Sequence, residues 1–451
     1  MEFKHKTILV LGAGVSGIAV AGILQKHGGR VILNDAKSAS KIQQDFTFLE
    51  RCGIQLIFGR QDESLLADID YLIVSPGISI HLPLVQTAKA LGITVMSEIE
   101  VAYRLCRAPI VAITGTNGKT TTTTLIGDML RTTGRDIVVG GNIGAALSKE
   151  VETIGANGLV VAEISSFQLE GIINFRPQIA AVLNITPDHL DRHHSIDLYQ
   201  QTKEHIFKNQ TPADYLVLNY DDEKIRPMAE RAAAKVMYFS RKEQLPQGVF
   251  VQQGSFTIAW DDQTYVICPV ADLKIKGAHN VENVLAACGV AFLAGVEPAR
   301  LAAVIKTFQG VEHRIEFVAG INGAEYYNDS KATNPESSIK ALEAFAGNVI
   351  LIAGGRDKMT DLAEFTGLIK EKVDQLILLG EAKDRFRAAA IKAGVVNIHT
   401  APSLDEAVIL AHHLAKPGQI VLLSPACSSY DMFANYEERG KTFKNLVRKL
   451  G

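Results

Sequence analysis

Short runs of β-branched and aliphatic residues alternate with helical patterns almost from end to end, and that rhythm leaves few folds open. The runs are Thr7–Leu11, Tyr71–Val74, Ile110–Thr114, Leu159–Ala162, Ala180–Asn184, Tyr215–Asn219, Val349–Ala353, Gln375–Leu379 and Ile420–Ser424. They are nearly continuous in apolar residues rather than alternating in polarity. Strands of that kind are covered on both faces, so the pattern predicts an α/β protein with parallel sheets between helices. Three stretches interrupt it. Arg104–Pro109 precedes a strand that opens a new unit, and Phe308–Arg314 lies between a helix and the next strand. Gly248–Pro269 alternates apolar and polar residues around Gly254 and Asp261-Asp262, as a small antiparallel sheet would. At roughly 100–200 residues per domain, a chain of 451 residues divides at these points into expected domains 1–103, 104–312 and 313–451.

Composition narrows the partners. Hydrophobic residues make up 47% and charged residues 21%, which excludes a disordered or fibrous chain. Lys and Arg total 46 against 49 Asp and Glu, a net charge of −3. That balance gives no electrostatic footprint for nucleic acid and no polybasic membrane patch. Anionic ligands must be held by a few placed cations and backbone N–H groups. No apolar run reaches the roughly 20 residues of a membrane span, and the N-terminus lacks a signal-peptide pattern. The five cysteines are scattered, with no CxxC, so a reducing cytoplasm and small core roles are expected for them.

Two glycine loops follow strands. Gly12-Ala13-Gly14-Val15-Ser16-Gly17 opens a helix over Ile18–His27, and Asp35 ends the next strand 21 residues after Gly14. Alone, this is the pattern of a dinucleotide-binding dehydrogenase. A domain ending near 103 is too short for a full dinucleotide fold, and half of one suits a nucleotide diphosphate; purely structural glycines are the other reading. The second loop is Gly115-Thr116-Asn117-Gly118-Lys119-Thr120-Thr121, between a strand and a helix over Thr121–Leu130. Its N–H groups can cradle phosphates, Lys119 can neutralise them, and the Thr120 hydroxyl can reach Mg²⁺. Ile113 stands where a Walker A loop would have its first glycine, so this is a shortened GxxGKT form.

Downstream, Glu163 ends a strand of the same unit, where a carboxylate can hold Mg²⁺. His189 lies in Thr186-Pro187-Asp188-His189-Leu190-Asp191, four residues before His193. No HExxH accompanies that pair, so a zinc protease is set aside. Lys203, on the helical pattern Leu198–Phe207, reads from spacing as a solvated helix lysine. Gly277-Ala278-His279-Asn280-Val281-Glu282-Asn283 opens a helix with Asn280 as its cap. In the last third, polar loops beginning at Asn328, Gly354 and Ser424 follow strands and are rich in Lys, Arg and Ser. Loops at the C-terminal ends of parallel strands converge where such sheets bind ligands, here a small anion.

These motifs in this order resemble the Mur ligase family. The GTNGKT loop, TPDHLD, KGAHNxxN, the His313-Arg314 pair and NDSKATNP carry the resemblance across nearly the whole chain. GAGVSG, Ser75-Pro76-Gly77, GGNIG at Gly140–Gly144, EISSFQLE from Glu163 and SPACSSYDMF from Ser424 make the chain most similar to the family's D-glutamate-adding branch. The DNPR and GKGHE segments of the diaminopimelate- or lysine-adding branch are absent, and Asn117 stands where the alanine-adding branch carries His.

The resemblance implies a Rossmann-like N-terminal UDP-binding domain, a central P-loop ATPase domain and a C-terminal Rossmann-like domain that closes on the amino acid. It implies a cytoplasmic monomer that uses ATP and two Mg²⁺ ions to join D-glutamate to UDP-N-acetylmuramoyl-L-alanine through an acyl phosphate, in peptidoglycan precursor synthesis. Carried over by motif, Gly115–Thr121, Asn280, Asn283, Arg314 and Asp329 contact ATP. Gly14, Val15, Ser16, Asp35, Ser75, Gly77, Asn142 and His189 contact the UDP substrate. Lys331, Thr333, Lys358, Ser429, Tyr430 and Tyr436 surround the amino acid. Thr120, Glu163, His189 and a carbamylated Lys203 hold metal, and Lys119, Glu163, His189 and Lys203 are catalytic. For Lys203 this opposes the solvated reading. Two other classes compete: an NAD-dependent oxidoreductase built on Gly12–Gly17, and an ATP-binding scaffold without chemistry.

Overall fold

The computed structural model describes residues 2–42, 46–357 and 359–450. Among these, strands assemble into three sheets. The first is fully parallel, in the order β3-β2-β1-β4-β5. Its strands are β1 (Thr7–Leu11), β2 (Arg30–Asp35), β3 (Gln55–Phe58), β4 (Tyr71–Val74) and β5 (Thr94–Ser97). β1 is the switch point of this sheet, with its neighbours reached in opposite directions. The loops after β1, β2 and β4 therefore open onto one crevice.

The second sheet holds β6 (Ile110–Thr114), β7 (Ile137–Gly141), β8 (Leu159–Glu163), β9 (Ile179–Val182), β10 (Tyr215–Asn219), β11 (Lys235–Ser240), β12 (Gly248–Gln252), β13 (Ser255–Trp260) and β14 (Gln263–Pro269). Its order is β14-β13-β12-β11-β10-β9-β6-β8-β7. The meander expected over Gly248–Pro269 is present and antiparallel. It does not stand apart as a small sheet: a short parallel pairing, Phe239↔Val249 and Ser240↔Phe250, joins it to the edge of β11. β9 ends at Val182 rather than at Asn184. Asn184 leaves the ladder because its side chain pairs with the backbone of Asn117, accepting from N at 2.7 Å and donating to O at 3.0 Å.

The third sheet contains β15 (Glu316–Ile321), β16 (Ala324–Asn328), β17 (Val349–Gly354), β18 (Val373–Leu379), β19 (Ile398–Thr400) and β20 (Ile420–Leu423), in the order β15-β16-β20-β17-β18-β19. Only β15 runs antiparallel. Tight contacts divide the chain into two compact units, Met1–Val270 with Glu282–Val304, and Ala271–Val281 with Ile305–Gly451. The first and second sheets lie in the first unit and share one continuous apolar core running from Phe3 to Ala234. No helix among the described residues is long and apolar enough to cross a membrane.

Candidate active site

The glycine loop after β1 is built by close approach. A Cβ on Gly17 would lie 1.8 Å from the Gly12 carbonyl, so only glycine lets the helix Val15–Lys26 start against the strand. Ser75, at the end of β4, donates to the Gly12 carbonyl at 3.0 Å. Asp35 accepts from the Ala13 N–H at 3.0 Å and the Lys37 N–H at 2.9 Å, so it braces the loop. Gly14, Val15, Ser16, Asp35, Ser75 and Gly77 all line one cavity of about 630 Å³. Gly141 at the end of β7, Asn142 after it, and Gln168 on the helical turn Ser166–Leu169 line it too.

Asn142 connects this cavity to the P-loop region. Its side-chain amide donates to Glu163 Oε1 at 2.8 Å, and its N–H donates to the Glu163 carbonyl at 2.8 Å. Glu163 ends β8 beside β6, paired with Ile113. The other carboxylate oxygen, Oε2, is buried and has no hydrogen-bond partner. An orphaned carboxylate oxygen costs free energy unless a ligand satisfies it. A hard cation is the fitting partner, and Thr120 and nucleotide phosphates would complete its oxygen shell. Among the described residues no cluster of three His, Cys, Asp or Glu forms a metal cage.

In the GTNGKT loop, Gly118 adopts φ 80°, and a Cβ there would meet Asn283 Oδ1 at 2.1 Å. The helix Lys119–Arg131 begins immediately after it. Thr122 Oγ1 donates to the same Asn283 oxygen at 3.3 Å, so buried Asn283 supports the loop from below. Lys119 is not simply solvated: Nζ donates to the carbonyls of Gly115 at 2.9 Å and Thr116 at 2.8 Å. Thr116 Oγ1 bonds Thr186 O at 3.2 Å, tying the loop to the segment that carries His189.

Lys203 contradicts its reading as a solvated helix lysine. It is 1% exposed, donates to the Gly115 carbonyl at 2.8 Å, and lies 4.5 Å above the Tyr199 ring. Burial, with the Lys119 ammonium as a second cause, holds its ammonium far below the usual lysine range. Tyr199 is itself buried and accompanies Lys203 one helical turn away. His189 has φ 52° and its imidazole is half exposed, 4.8 Å from the Phe167 ring. The i,i+4 partner His193 faces inward, with Nε2 3.0 Å from Ser166 Oγ. The two histidines are thus not a zinc pair. Ser165 and Gln168 form a capping box that fixes the Ser166–Leu169 turn between them and Glu163.

The second unit gathers the remaining candidates. Asn280 is not the cap of its helix, which begins at Ala278; its amide donates instead to the Lys276 carbonyl at 2.6 Å. Asp329, after β16, accepts from Ser424 Oγ at 2.7 Å and from the Ile315 N–H at 3.2 Å. Thr333, Ser429, Tyr430 and Tyr436 line a cavity of about 390 Å³ together with Arg356. Lys331 Nζ lies 5.8 Å from the Tyr436 ring centre. Lys358 falls outside the described residues. Arg439, which the sequence reading missed, is buried and joins two of these loops. It donates to Ser330 Oγ at 2.9 Å and to the Cys427 carbonyl at 3.1 Å.

Burial pushes the Asp329 carboxyl up to about 7. An unfolded Asp ionises near 4. Between about pH 4 and 7 the folded chain keeps a proton that the unfolded chain has lost, so this group makes stability fall as pH rises through that window. Asp329→Asn should remove the penalty: Tm should rise by about 4 °C at pH 8 and by much less at pH 5. Thermal unfolding at the two pH values checks this, and equal shifts at both would contradict it.

These features define an α/β protein with a loop between strand and helix suited to nucleotide phosphates, beside a second cavity built on a glycine loop. The chain belongs to the Mur ligase family. The profile "Mur ligase MurD-like, N-terminal domain" matches residues 6–97, "Mur ligase middle domain" 113–291, and "Mur ligase, glutamate ligase domain" 313–427. The UDP-N-acetylmuramoylalanine--D-glutamate ligase of Caldanaerobacter subterraneus subsp. tengcongensis is 46% identical, covering 100% of both chains. The enzyme of that name from Pelotomaculum thermopropionicum is 45% identical, covering 100% of this chain and 99% of the relative. Among solved structures, the UDP-N-acetylmuramate-alanine ligase of Thermotoga maritima superposes with a TM-score of 0.61 at 18% identity, over 99% of this chain and 100% of the other. The fold is therefore the three-domain Mur ligase architecture.

Proposed function

We propose that this chain is the ATP-dependent ligase that adds D-glutamate to UDP-N-acetylmuramoyl-L-alanine during peptidoglycan precursor synthesis. The observation that carries the reading is Asn142. It lines the glycine-loop cavity and holds Glu163 at 2.8 Å, at the end of the strand beside the P-loop strand. A ligand whose diphosphate rests on the Gly12–Gly17 loop then presents its far end where an ATP γ-phosphate would lie. That geometry suits an activated-carboxylate ligation and gives hydride transfer no role for the second nucleotide loop. The domain bounds 1–103, 104–312 and 313–451, a monomeric state and a cytoplasmic location belong to the same reading.

A carboxylate is a poor electrophile until one oxygen is phosphorylated. Its oxygen attacks the γ-phosphorus, the bond to ADP breaks, and an acyl phosphate forms. The D-glutamate amine then attacks the acyl carbon, phosphate leaves, and the nitrogen releases a proton. Two anions must meet in the first step, so charge neutralisation dominates the barrier. Lys119 and the N–H groups of residues 115–121 receive the nucleotide phosphates. Asn142 orients Glu163. Bound Mg²⁺ supplies charge neutralisation between phosphates and carboxylate. Thr120 and Glu163 would hold one ion, and His189 with a carbamate on Lys203 a second. Asn280, Asn283, Arg314 and Asp329 are assigned to ATP. Gly14, Val15, Ser16, Asp35, Ser75 and Gly77 are assigned to the UDP portion.

For the amino acid we assign Lys331, Thr333, Lys358, Ser429, Tyr430 and Tyr436. Ser429 is buried and lines the 390 Å³ cavity, which supports a contact from its hydroxyl to a glutamate carboxylate. Ser429→Ala should raise the KM for D-glutamate about tenfold, the scale of one charge-assisted hydrogen bond, while the KM for ATP stays within about twofold. Equal rises in both would remove this cavity from amino-acid recognition. The function itself is tested by phosphate release from ATP. Release should require UDP-N-acetylmuramoyl-L-alanine and D-glutamate together, and other amino acids should not replace D-glutamate. Release without either substrate would point to a different reaction.

A further inference from the structure

Arg192 follows the His189 loop and has no assigned role, yet its side chain joins two parts of the site. NH1 donates to the Pro76 carbonyl at 3.0 Å, and NH2 donates to the Ile78 carbonyl at 2.9 Å. Those carbonyls flank Gly77 in the Ser75-Pro76-Gly77 segment that walls the glycine-loop cavity. On its other side the guanidinium pairs with Glu170, through Nε at 3.1 Å and NH2 at 2.5 Å. Its carbon lies 4.1 Å from the Phe167 ring centre, and that ring packs 4.8 Å from His189. The Arg192 side chain is 12% exposed and Glu170 5%, so water competes little for these bonds. A guanidinium has five donors in a rigid fork, and here four of them are spent on two carbonyls and a carboxylate.

We propose that Arg192 is a positioning residue for the ligation: it fixes the distance between the wall of the UDP cavity and the His189 loop, and so places the substrate carboxylate for phosphorylation. This rests on the substrate reading given above. The nucleotide end of the substrate is held by residues of the first sheet, and its reacting end by residues of the second. A side chain bonded to both sets the span between them. Misplacing a reacting group by about 1 Å costs on the order of 100-fold in rate.

Arg192→Lys keeps the positive charge beside Glu170 but cannot reach both carbonyls. It should lower kcat/KM for UDP-N-acetylmuramoyl-L-alanine about 100-fold. Binding of UDP alone, which spans only the first anchor, should stay within about twofold by calorimetry, and ATP binding likewise. A purely structural role would instead weaken every ligand together and lower Tm. A double variant, Arg192→Met with Glu170→Gln, removes the buried charge on both sides and guards against misfolding in the single variant. It should show the same split. Folded variants with turnover within threefold of wild type, or an equal loss for UDP and for the full substrate, overturn the proposal. Absence of wild-type turnover with D-glutamate would instead remove the substrate reading beneath it.

Discussion

Lys203→Arg should be almost inactive, and it should fail while keeping positive charge at the position. The wild-type amine is enclosed, 1% exposed, with Gly115 O at 2.8 Å and the Tyr199 ring at 4.5 Å. Burial and Lys119 hold its ammonium far below the usual lysine range, which favours the neutral amine. A neutral amine adds CO₂: nitrogen bonds to carbon, one proton leaves, and an anionic carbamate remains. That anion is a hard oxygen ligand of the kind Mg²⁺ selects. Arginine remains protonated in proteins and cannot form this carbamate. The expected loss is about 10³-fold in kcat, on the scale of losing a charge-stabilising group. Lys203→Glu, although shorter, restores an anion and should retain more activity than the arginine variant. Wild-type enzyme stripped of CO₂ at mildly acidic pH should lose activity and regain it with bicarbonate. Full activity in Lys203→Arg, together with indifference to bicarbonate, would show that Lys203 acts only as a charge.

Lys203 also marks the limit of what the linear sequence conveys. Helical periodicity orders residues around their own axis, but it does not say what packs against each face. The partner of Lys203, the Gly115 carbonyl, lies 88 residues earlier. Arg192 was overlooked for the same reason: besides Glu170 its acceptors are two backbone carbonyls, 116 and 114 residues away, which leave no trace in composition. Motifs whose chemistry is local were legible. The strand–glycine–helix loops at Gly12 and Gly115 sit where their spacing put them, because the turn itself demands the glycines. Apolar strands such as Val349–Gly354 were legible because they are buried on both faces. The edge strand Glu316–Ile321, half exposed and paired with Ala324–Asn328, carried no such run, so its bounds could not be drawn from the sequence. Asn280 looked like a cap because Asn favours that position, but the helix begins two residues earlier, at Ala278.

Lys119→Ala should lower kcat by about 10²–10³-fold, the cost of removing one group that stabilises developing charge. Its consequences for the fold are less trivial than for an exposed lysine. In the present structure Nζ bridges the carbonyls of Gly115 and Thr116 at 2.9 and 2.8 Å, so the cation braces its own loop. Removing those bonds should cost about 1 kcal/mol of stability. The loop keeps its other ties: Asn184 to Asn117, Thr116 to Thr186, and Asn283 beneath Gly118. The chain should therefore stay folded while turnover collapses. When phosphate enters, the ammonium must exchange two carbonyls for phosphate oxygens, a trade of neutral acceptors for charged ones that favours the nucleotide complex. Lys119→Ala should accordingly weaken ATP binding as well as slow the chemical step. Removing Lys119 should also relieve the charge that helps depress the Lys203 ammonium, since the two cations repel. The variant should need a higher pH or more bicarbonate to reach its residual maximum. Calorimetric ATP titration, and residual rate measured against bicarbonate, check both parts. Turnover within threefold of wild type would mean that the Gly115–Thr121 loop is not the ATP site.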